Sequence, residues 1–261
     1  MKFKHPPINE LAIGVYFDGP ISGLRAEHIG LFWHQIRDKF PKVNQAAPIV
    51  AGSAAQAVLA PAADEFYPLP RFWFVASDES MLVQLQRNAF LLNWRKREEV
   101  YPHYETVKNE FDRIYDIFAE FINRTVRGKF AIEAAELTYT NLAREGEYWS
   151  GINDIARIIP SFRPVEIGID GATLTSVNHT SVWQAAENLS ITAKVQTGTL
   201  TAEKRAALIF ELSAKGRLRA ATKAEADAWF DQAHAFTGKA FRGMTNPDIQ
   251  RDIWQPESGA A

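Results

Sequence analysis

The sequence predicts an α+β fold in which antiparallel curved sheets are each backed by a long amphipathic helix. The first observation behind this prediction is a cluster of three β-like runs within residues 71–96. Strands this close together pair antiparallel, because a parallel return needs a crossover of about a dozen residues. The second observation is that each half of the chain ends in a long helical pattern with an aromatic stripe, at about 104–124 and 223–242.

The chain before this cluster predicts one strand and one helix. Residues 11–19 alternate large apolar side chains with small or polar ones, as in a half-buried strand. Residues 25–40 place apolar side chains at the i, i+3, i+4, i+7 spacing of a helix, which Pro41 ends. Residues 42–70 are rich in Ala and Pro and are interpreted as a connection, with one short strand near 48–52.

The β-like cluster itself divides into strands at 71–76, 81–86 and 89–95. Arg87 and Asn88 separate the last two runs, and a two-residue separation is typical of a tight hairpin. The three runs therefore predict an antiparallel meander.

The second half of the chain predicts more strands before its final helix. Residues 130–142 read as a strand, and a short helical turn is expected around 151–158. Asp170-Gly171 is a hairpin-turn signal between two further predicted strands. These later strands are predicted near 164–169, 172–178, 188–196 and 206–213.

The order of elements divides the chain into an N-terminal half, 1–128, and a C-terminal half, 129–254, followed by a polar tail at 255–261 that is expected to be disordered. Both halves read as strands followed by a helix, which permits two similar halves produced by duplication. Local identity between the halves is low, so the alternative of one compact domain without duplication stays open.

Composition excludes several classes of protein. The chain has 261 residues and no Cys, so disulfide frameworks, zinc ribbons, iron–sulfur clusters and thiol nucleophiles are excluded. Its 29 Lys and Arg balance 31 Asp and Glu, giving no global attraction to nucleic acid or anionic membranes. No apolar run approaches the roughly 20 residues of a membrane span, and the N-terminus lacks a signal-peptide pattern. We therefore expect a soluble, cytoplasmic protein.

Standard catalytic motifs are absent from the sequence. There is no phosphate-binding loop, dinucleotide fingerprint, serine elbow, HExxH zinc motif or EF-hand loop. No two of the six histidines have the i, i+3 or i, i+4 spacing that would direct both toward a metal. The sequence therefore predicts no catalytic residue, no metal site and no cofactor.

Polar side chains within apolar strands are the strongest functional signal. Gln84 and Gln86 alternate with Val83 and Leu85, so both amides project from one face of the meander. A solvated sheet face, a polar binding groove and an internal hydrogen-bond network would each explain such a pattern. The candidate binding residues are Gln84, Gln86, Asn93, Trp94, Arg95, Tyr139 and Asn141.

Several of these residues belong to motifs that occur in a fixed order along the chain. The most specific are NWRK at 93–96 and ELTYTN at 136–141. Together with RFWF at 71–74 and AHAFTGKAF at 233–241, they give a sequence that resembles a sporadically distributed family of bacterial conserved hypothetical proteins of similar length. The resemblance covers nearly the whole chain and implies no catalytic residue. The family's patchy occurrence implies an accessory gene, such as a component of a defence or toxin-associated system.

These observations favour a non-enzymatic binding or interaction protein that acts through the concave or edge surface of its sheet. A protein partner is expected, no membrane is involved, and a homodimer is compatible with the sequence. One alternative is an enzyme acting on nucleic acid or nucleotide with a site assembled from scattered residues. Another is nucleic-acid binding without chemistry, motivated by the basic stretch 203–223 but not favoured by the net charge of −2.

Overall fold

The computed structural model describes residues 2–49, 68–97, 101–163, 167–200 and 203–257. Within these residues nine strands form one antiparallel sheet, accompanied by five α-helical segments. The predicted α+β class is therefore confirmed. The finer expectation, two similar halves each with its own helix-backed curved sheet, stays a prediction.

The strands vary in length from five to thirteen residues. They are β1 (Ile8–Phe17), β2 (Lys42–Ala46), β3 (Arg71–Val75), β4 (Met81–Gln86), β5 (Ala89–Arg95), β6 (Ile132–Arg144), β7 (Asn178–Ala186), β8 (Leu189–Leu200) and β9 (Arg205–Arg217). Neighbouring strands in the sheet follow the order β2-β3-β4-β5-β1-β6-β9-β8-β7.

Two of the helical segments are long. The α-helices are α1 (Ala26–Ile36), α2 (Tyr104–Phe121), α3 (Ile155–Ile158), α4 (Lys223–Met244) and α5 (Pro247–Ile249). Two π-helical segments follow α2 and α5, and a 3₁₀ turn at Ile152–Asp154 precedes α3. No helix within the described ranges is long and apolar enough to cross a membrane.

The predicted meander and its neighbours are confirmed. Strands β3, β4 and β5 pair antiparallel in sequence, and Arg87 and Asn88 form the turn between the last two. The predicted first strand, the helix near 25–40, the strand near 130–142 and both long helices are likewise present, with bounds shifted by a few residues.

Two parts of the strand prediction are wrong. Residues 42–46 form a strand rather than a connection, pairing with β3 from Lys42↔Val75 to Ala46↔Arg71. Asp170 and Gly171 do form a turn, but the described residues on either side of it, 167–169 and 172–177, are not strands. The actual strand of this region, β7, begins where the predicted one ended. The predicted strand near 48–52 lies mainly outside the described residues, as does the segment 164–166.

The chain divides into two compact units that are interleaved in sequence. The meander unit comprises Glu10–Leu137 and Lys215–Asp231, and the hairpin unit comprises Met1–Asn9, Thr138–Ala214 and Gln232–Ala261. These chain boundaries differ from the predicted halves, and similarity between the halves remains a prediction.

Aromatic side chains dominate the core of the meander unit. Phe90 of β5 contacts both Phe111 and Phe118 of α2, with ring centroids 5.8 and 5.0 Å apart. Phe32 of α1 meets Phe118 at 5.5 Å and Phe74 of β3 at 5.8 Å. All five rings are fully buried, so one face of the sheet in this unit is covered by α1 and α2.

The hairpin unit has a separate core. Trp254 packs against Phe3, Phe210 and Phe241, with ring centroids between 5.0 and 6.4 Å apart. The chain just after Trp254 pairs with the N-terminus, since Lys4 donates to the backbone oxygen of Gln255 at 2.8 Å. The first residues of the predicted disordered tail are therefore held by backbone bonds, and residues 258–261 lie outside the described ranges.

Candidate functional site

Strand alternation gives the sheet of the meander unit a polar face opposite its aromatic one. The register places Trp73 opposite Gln84, Leu82 opposite Asn93 and Tyr16 opposite Ala89. Because side chains of directly paired residues share a face, the polar residues of four strands lie together. We call this surface the polar face; its members are Glu10, Tyr16, Arg71, Trp73, Gln84, Gln86, Asn93 and Arg95.

A chain of hydrogen bonds crosses three strands of the polar face. The Nε2 group of Gln84 donates to Oδ1 of Asn93 at 2.6 Å, and Nδ2 of Asn93 donates to Oε1 of Glu10 at 2.5 Å. Gln84 is only 6% exposed and Asn93 only 5%. These contacts favour the internal network among the three alternatives for the amides, because buried amides that bond one another hold neighbouring strands in register.

The second glutamine is also held within the protein. Nε2 of Gln86 donates to Oδ1 of Asn88 at 2.6 Å and to the backbone oxygen of Ile49 at 3.0 Å. Its Oε1 accepts the backbone N–H of Ile49 at 2.8 Å. Gln86 therefore ties the meander to the chain that follows β2.

Trp94 does not lie on the polar face. It stands opposite Leu11 and Met81, on the aromatic side of the sheet, and its ring packs against Tyr101 at 5.2 Å. Arg95 does lie on the polar face, where its Nη2 approaches the backbone oxygen of Glu79 at 3.4 Å. Burial lowers the pKa of Arg95, and the neighbouring charge of Arg97 acts in the same direction.

Tyr139 and Asn141 belong to the hairpin unit and make internal contacts there. The hydroxyl of Tyr139 lies 2.8 Å from Nδ1 of His234, and Nδ2 of Asn141 donates to the backbone oxygen of Phe210 at 3.1 Å. Both side chains are buried. Whether any of the seven candidate residues binds a partner stays a prediction.

Sequence reasoning missed Arg71 and Trp73, which complete the polar face at strand β3. The guanidinium carbon of Arg71 lies 5.4 Å from the centroid of the Trp73 ring, a cation–π distance. Alternation within RFWF already puts these two side chains on one face, opposite the two phenylalanines. With the register between β3 and β4, this alternation would have placed Arg71 and Trp73 on the same face as Gln84.

Two small residues, Gly14 and Ala89, lie on the polar face among the larger side chains. A Cβ atom on Gly14 would lie 2.6 Å from Cγ of Leu91, so only glycine lets the leucine lie across β1 at this point. Ala89 separates Gln86 from Tyr16 in the next row of the sheet.

The meander unit also contains a compact group of four charges, which we call the ion cluster. Nζ of Lys108 lies 2.6 Å from Asp112 and 2.7 Å from Asp227, and Nζ of Lys223 lies 2.5 Å from each aspartate. Lys108 is itself buried, against the rings of Phe111 and Phe230. The cluster joins α2 to the first two turns of α4, and its charges cancel.

The pKa values in the ion cluster reflect two opposing effects. Burial acts to raise the pKa of Asp227, but hydrogen bonds and charge from the two lysines outweigh it, so the pKa lies below its usual value. Burial acts to lower the pKa of Lys223, and the two aspartates reverse that effect. Both groups are therefore stabilised in their charged forms.

Strand β7 of the hairpin unit exposes two large apolar side chains. Among the strands that the structure describes, it lies at one end of the sheet order and pairs with β8. None of its nine residues is buried, and Val182 and Trp183 are 65% and 53% exposed. Successive side chains point to opposite faces of a strand, so both faces of β7 are open.

Comparisons with known proteins add no further assignment. No family model, curated protein or solved structure matches the chain. Across the ranges that the structure describes, no group of three or more His, Asp or Glu residues is placed to hold a metal ion.

Proposed function

We propose that the chain is a non-enzymatic interaction protein that binds an extended segment of a protein partner along β7. The observation that carries this proposal is the exposure of Val182 and Trp183 on an edge strand with no buried residue. The outer edge of such a strand presents backbone N–H and C=O groups that a further strand can pair with.

Strands β2 and β7, at the two ends of the described sheet, differ in the features that protect an edge from pairing with a further strand. Strand β2 has five residues, follows Pro41 and begins with Lys42, which forms an ion pair with Glu79 at 2.8 Å. Short length, lysine and proline are common protections of a sheet edge. Strand β7 has nine residues and contains no Lys, Arg, Asp, Glu or Pro.

The segment before β7 extends the apolar character of this surface. Ile167, Ile169 and Leu174 are exposed, and Asp170 is the one charged residue between 167 and 186. Main-chain pairing would supply affinity, and apolar side chains at alternate positions of the partner segment would supply specificity. The partner chemistry that fits best is therefore an uncharged, β-branched or aromatic protein segment.

The test combines a substitution with a measurement that locates the contact. We expect Trp183→Lys to abolish partner capture from the native host, while changing the free energy of unfolding by no more than about 0.5 kcal/mol. In the captured complex, hydrogen exchange should show added protection of backbone amides within residues 178–186. Light scattering on the purified chain identifies the case in which the partner is a second copy.

Leu31 provides the matched control, because it is a similarly exposed apolar residue on helix α1. Leu31→Lys should leave both capture and amide protection unchanged. Equal capture by the Trp183→Lys variant, or protection confined to other residues, would overturn the proposal.

The alternative functions have their own tests. An enzyme acting on nucleic acid or nucleotide should show nuclease or nucleotide hydrolysis in assays with and without Mg²⁺. Nucleic-acid binding should weaken steeply with salt; against it, Lys215 and Arg217 of the basic stretch are paired with Glu136 and Glu133. A cytoplasmic location and a defence or toxin-associated role remain predictions.

A further inference from the structure

Arg71 is an arginine without a counter-charge among the described residues. Its Nε is buried, and its guanidinium makes a cation–π approach to the ring of Trp73. Burial lowers the pKa of Arg71, with the charge of Tyr16 acting in the opposite direction. Arg71 as a whole is half-buried, and a guanidinium that loses part of its contact with water is normally compensated by a hydrogen-bond or charge partner.

Two neighbouring polar atoms on the same face are buried and likewise unpaired within the described ranges. They are the indole N–H of Trp73 and Oε1 of Gln84, whose residues face each other across β3 and β4. The large majority of buried side-chain polar atoms in proteins have a hydrogen-bond partner. Arg71, Trp73 and Gln84 thus place two buried donors and one buried acceptor on one face of the sheet, without a hydrogen-bond partner among the described residues.

Two described carboxylates that contact residues of the polar face, Glu136 and Glu10, already have partners. Tyr16, which interacts electrostatically with Arg71, donates its hydroxyl to Glu136 at 2.7 Å, and Glu136 also forms an ion pair with Lys215 at 3.0 Å. Glu10 accepts a hydrogen bond from Asn93. Arg71 thus remains as the positive group on the polar face whose charge no described carboxylate neutralises.

We infer that the polar face binds a small oxyanion, a carboxylate or phosphate that also carries a hydroxyl group, at Arg71, Trp73 and Gln84. The planar guanidinium matches two oxygens of a carboxylate or phosphate, and the indole N–H donates to the same anionic group. Oε1 of Gln84 then accepts a hydrogen bond from the hydroxyl. This site lies within the meander unit and is independent of strand β7.

The experiment measures binding of three probes by calorimetry, with chloride at matched ionic strength as the reference. The probes are inorganic phosphate, malate and succinate; malate and succinate are dicarboxylates that differ by one hydroxyl. We expect phosphate or malate to bind, and the stronger of the two shows which oxyanion the site prefers. Succinate should bind more weakly than malate because it has no hydroxyl to offer Gln84.

Variants assign the binding to the three side chains. Arg71→Met should weaken binding at least about tenfold, because the variant loses the charge-assisted hydrogen bonds of the guanidinium. Gln84→Leu should remove the preference for malate over succinate. If Arg71→Met does not fold, Arg71→Lys gives the same comparison, since it keeps the charge and loses the planar fork.

Arg124→Met is the matched control, because Arg124 is an exposed arginine paired with Glu120 at 2.9 Å. It should bind the probes as the unaltered chain does, and so should Trp183→Lys. Failure of all three probes to bind, or undiminished binding by a folded Arg71 variant, would overturn the inference.

Discussion

The inner strands of the meander and strand β7 both contain polar and apolar side chains, but these side chains differ in burial. Gln84, Gln86 and Asn93 alternate with apolar side chains and are buried. Strand β7 also contains both polar and apolar side chains, but none of its residues is buried. The difference follows from position in the sheet, since β4 and β5 are inner strands and β7 is an edge strand. Burial of a polar strand is therefore decided by its neighbours rather than by its composition.

Because of this difference in burial, the two sets of polar groups contribute differently to the stability of the fold. An amide in the buried network contributes by bonding to another protein group, so its loss leaves an unsatisfied partner. A polar side chain on β7 is not buried, so replacing it leaves no buried group without a partner. Substitutions in the buried network should therefore lower the free energy of unfolding much more than substitutions on β7.

The largest effect is expected at Asn93. Asn93→Leu leaves Nε2 of Gln84 without its acceptor and removes the donor to the Glu10 carboxylate. We expect a loss of about 2–4 kcal/mol in the free energy of unfolding, because each unsatisfied buried group costs about 1–3 kcal/mol and charged groups cost more. Urea denaturation measures this loss.

The double variant Gln84→Leu with Asn93→Leu tests the reason for that loss. Replacing both partners with apolar groups removes the unsatisfied amide, so the double variant should be more stable than the sum of the single effects predicts. Simple additivity would mean that the two amides do not act as one network.

An intermediate effect is expected in the ion cluster. Lys108→Met removes one of the two cations that neutralise Asp112 and Asp227. Breaking a fully buried pair costs about 3–5 kcal/mol, but these carboxylates are 31% and 39% exposed, so we expect about 1–3 kcal/mol. Exposed pairs such as Arg124 with Glu120 contribute at most about 1 kcal/mol, which makes Arg124→Met the control.

The cost of Lys108→Met should also depend on pH. The pKa of Asp227 is lower in the folded protein than its unfolded value of about 3.9. Its contribution is therefore complete above that unfolded pKa and is lost as pH falls through the folded pKa. The difference between the variant and the unaltered chain should shrink below about pH 4; a constant difference down to pH 2 would contradict the assignment.

The smallest effect is expected on β7. Thr180 is exposed, so Thr180→Val should change the free energy of unfolding by no more than about 0.5 kcal/mol. Thermal denaturation can compare it directly with Asn93→Leu. A loss as large as that at Asn93 would remove the contrast between the two regions and show that β7 is covered in solution.

Much of the fold could be predicted from local patterns. The meander followed from two short interruptions in an apolar run, and both long helices followed from their aromatic stripes. Strand β7 was missed because a strand exposed on both faces has no alternation of apolar and polar side chains to detect. Strand β2 was missed for the same reason, since four of its five residues are exposed.

The candidate site was predictable only in part. Alternation correctly placed Gln84 and Gln86 on one face, but a sequence does not show what covers that face. Trp94 is adjacent to Asn93 and points to the opposite side, so proximity in sequence was misleading there. Arg71 and Trp73 became part of the site only through the register Trp73↔Gln84, which depends on long-range pairing.

The interleaving of the two units has a consequence for synthesis. The meander unit needs Lys215–Asp231 as well as Glu10–Leu137, so it cannot be complete until residue 231 has been made. Until then Phe111 lacks Phe230, its partner at 5.6 Å, and Asp112 lacks Lys223. During synthesis, part of the apolar surface of the early strands and of α2 therefore stays uncovered until Lys215–Asp231 has been made.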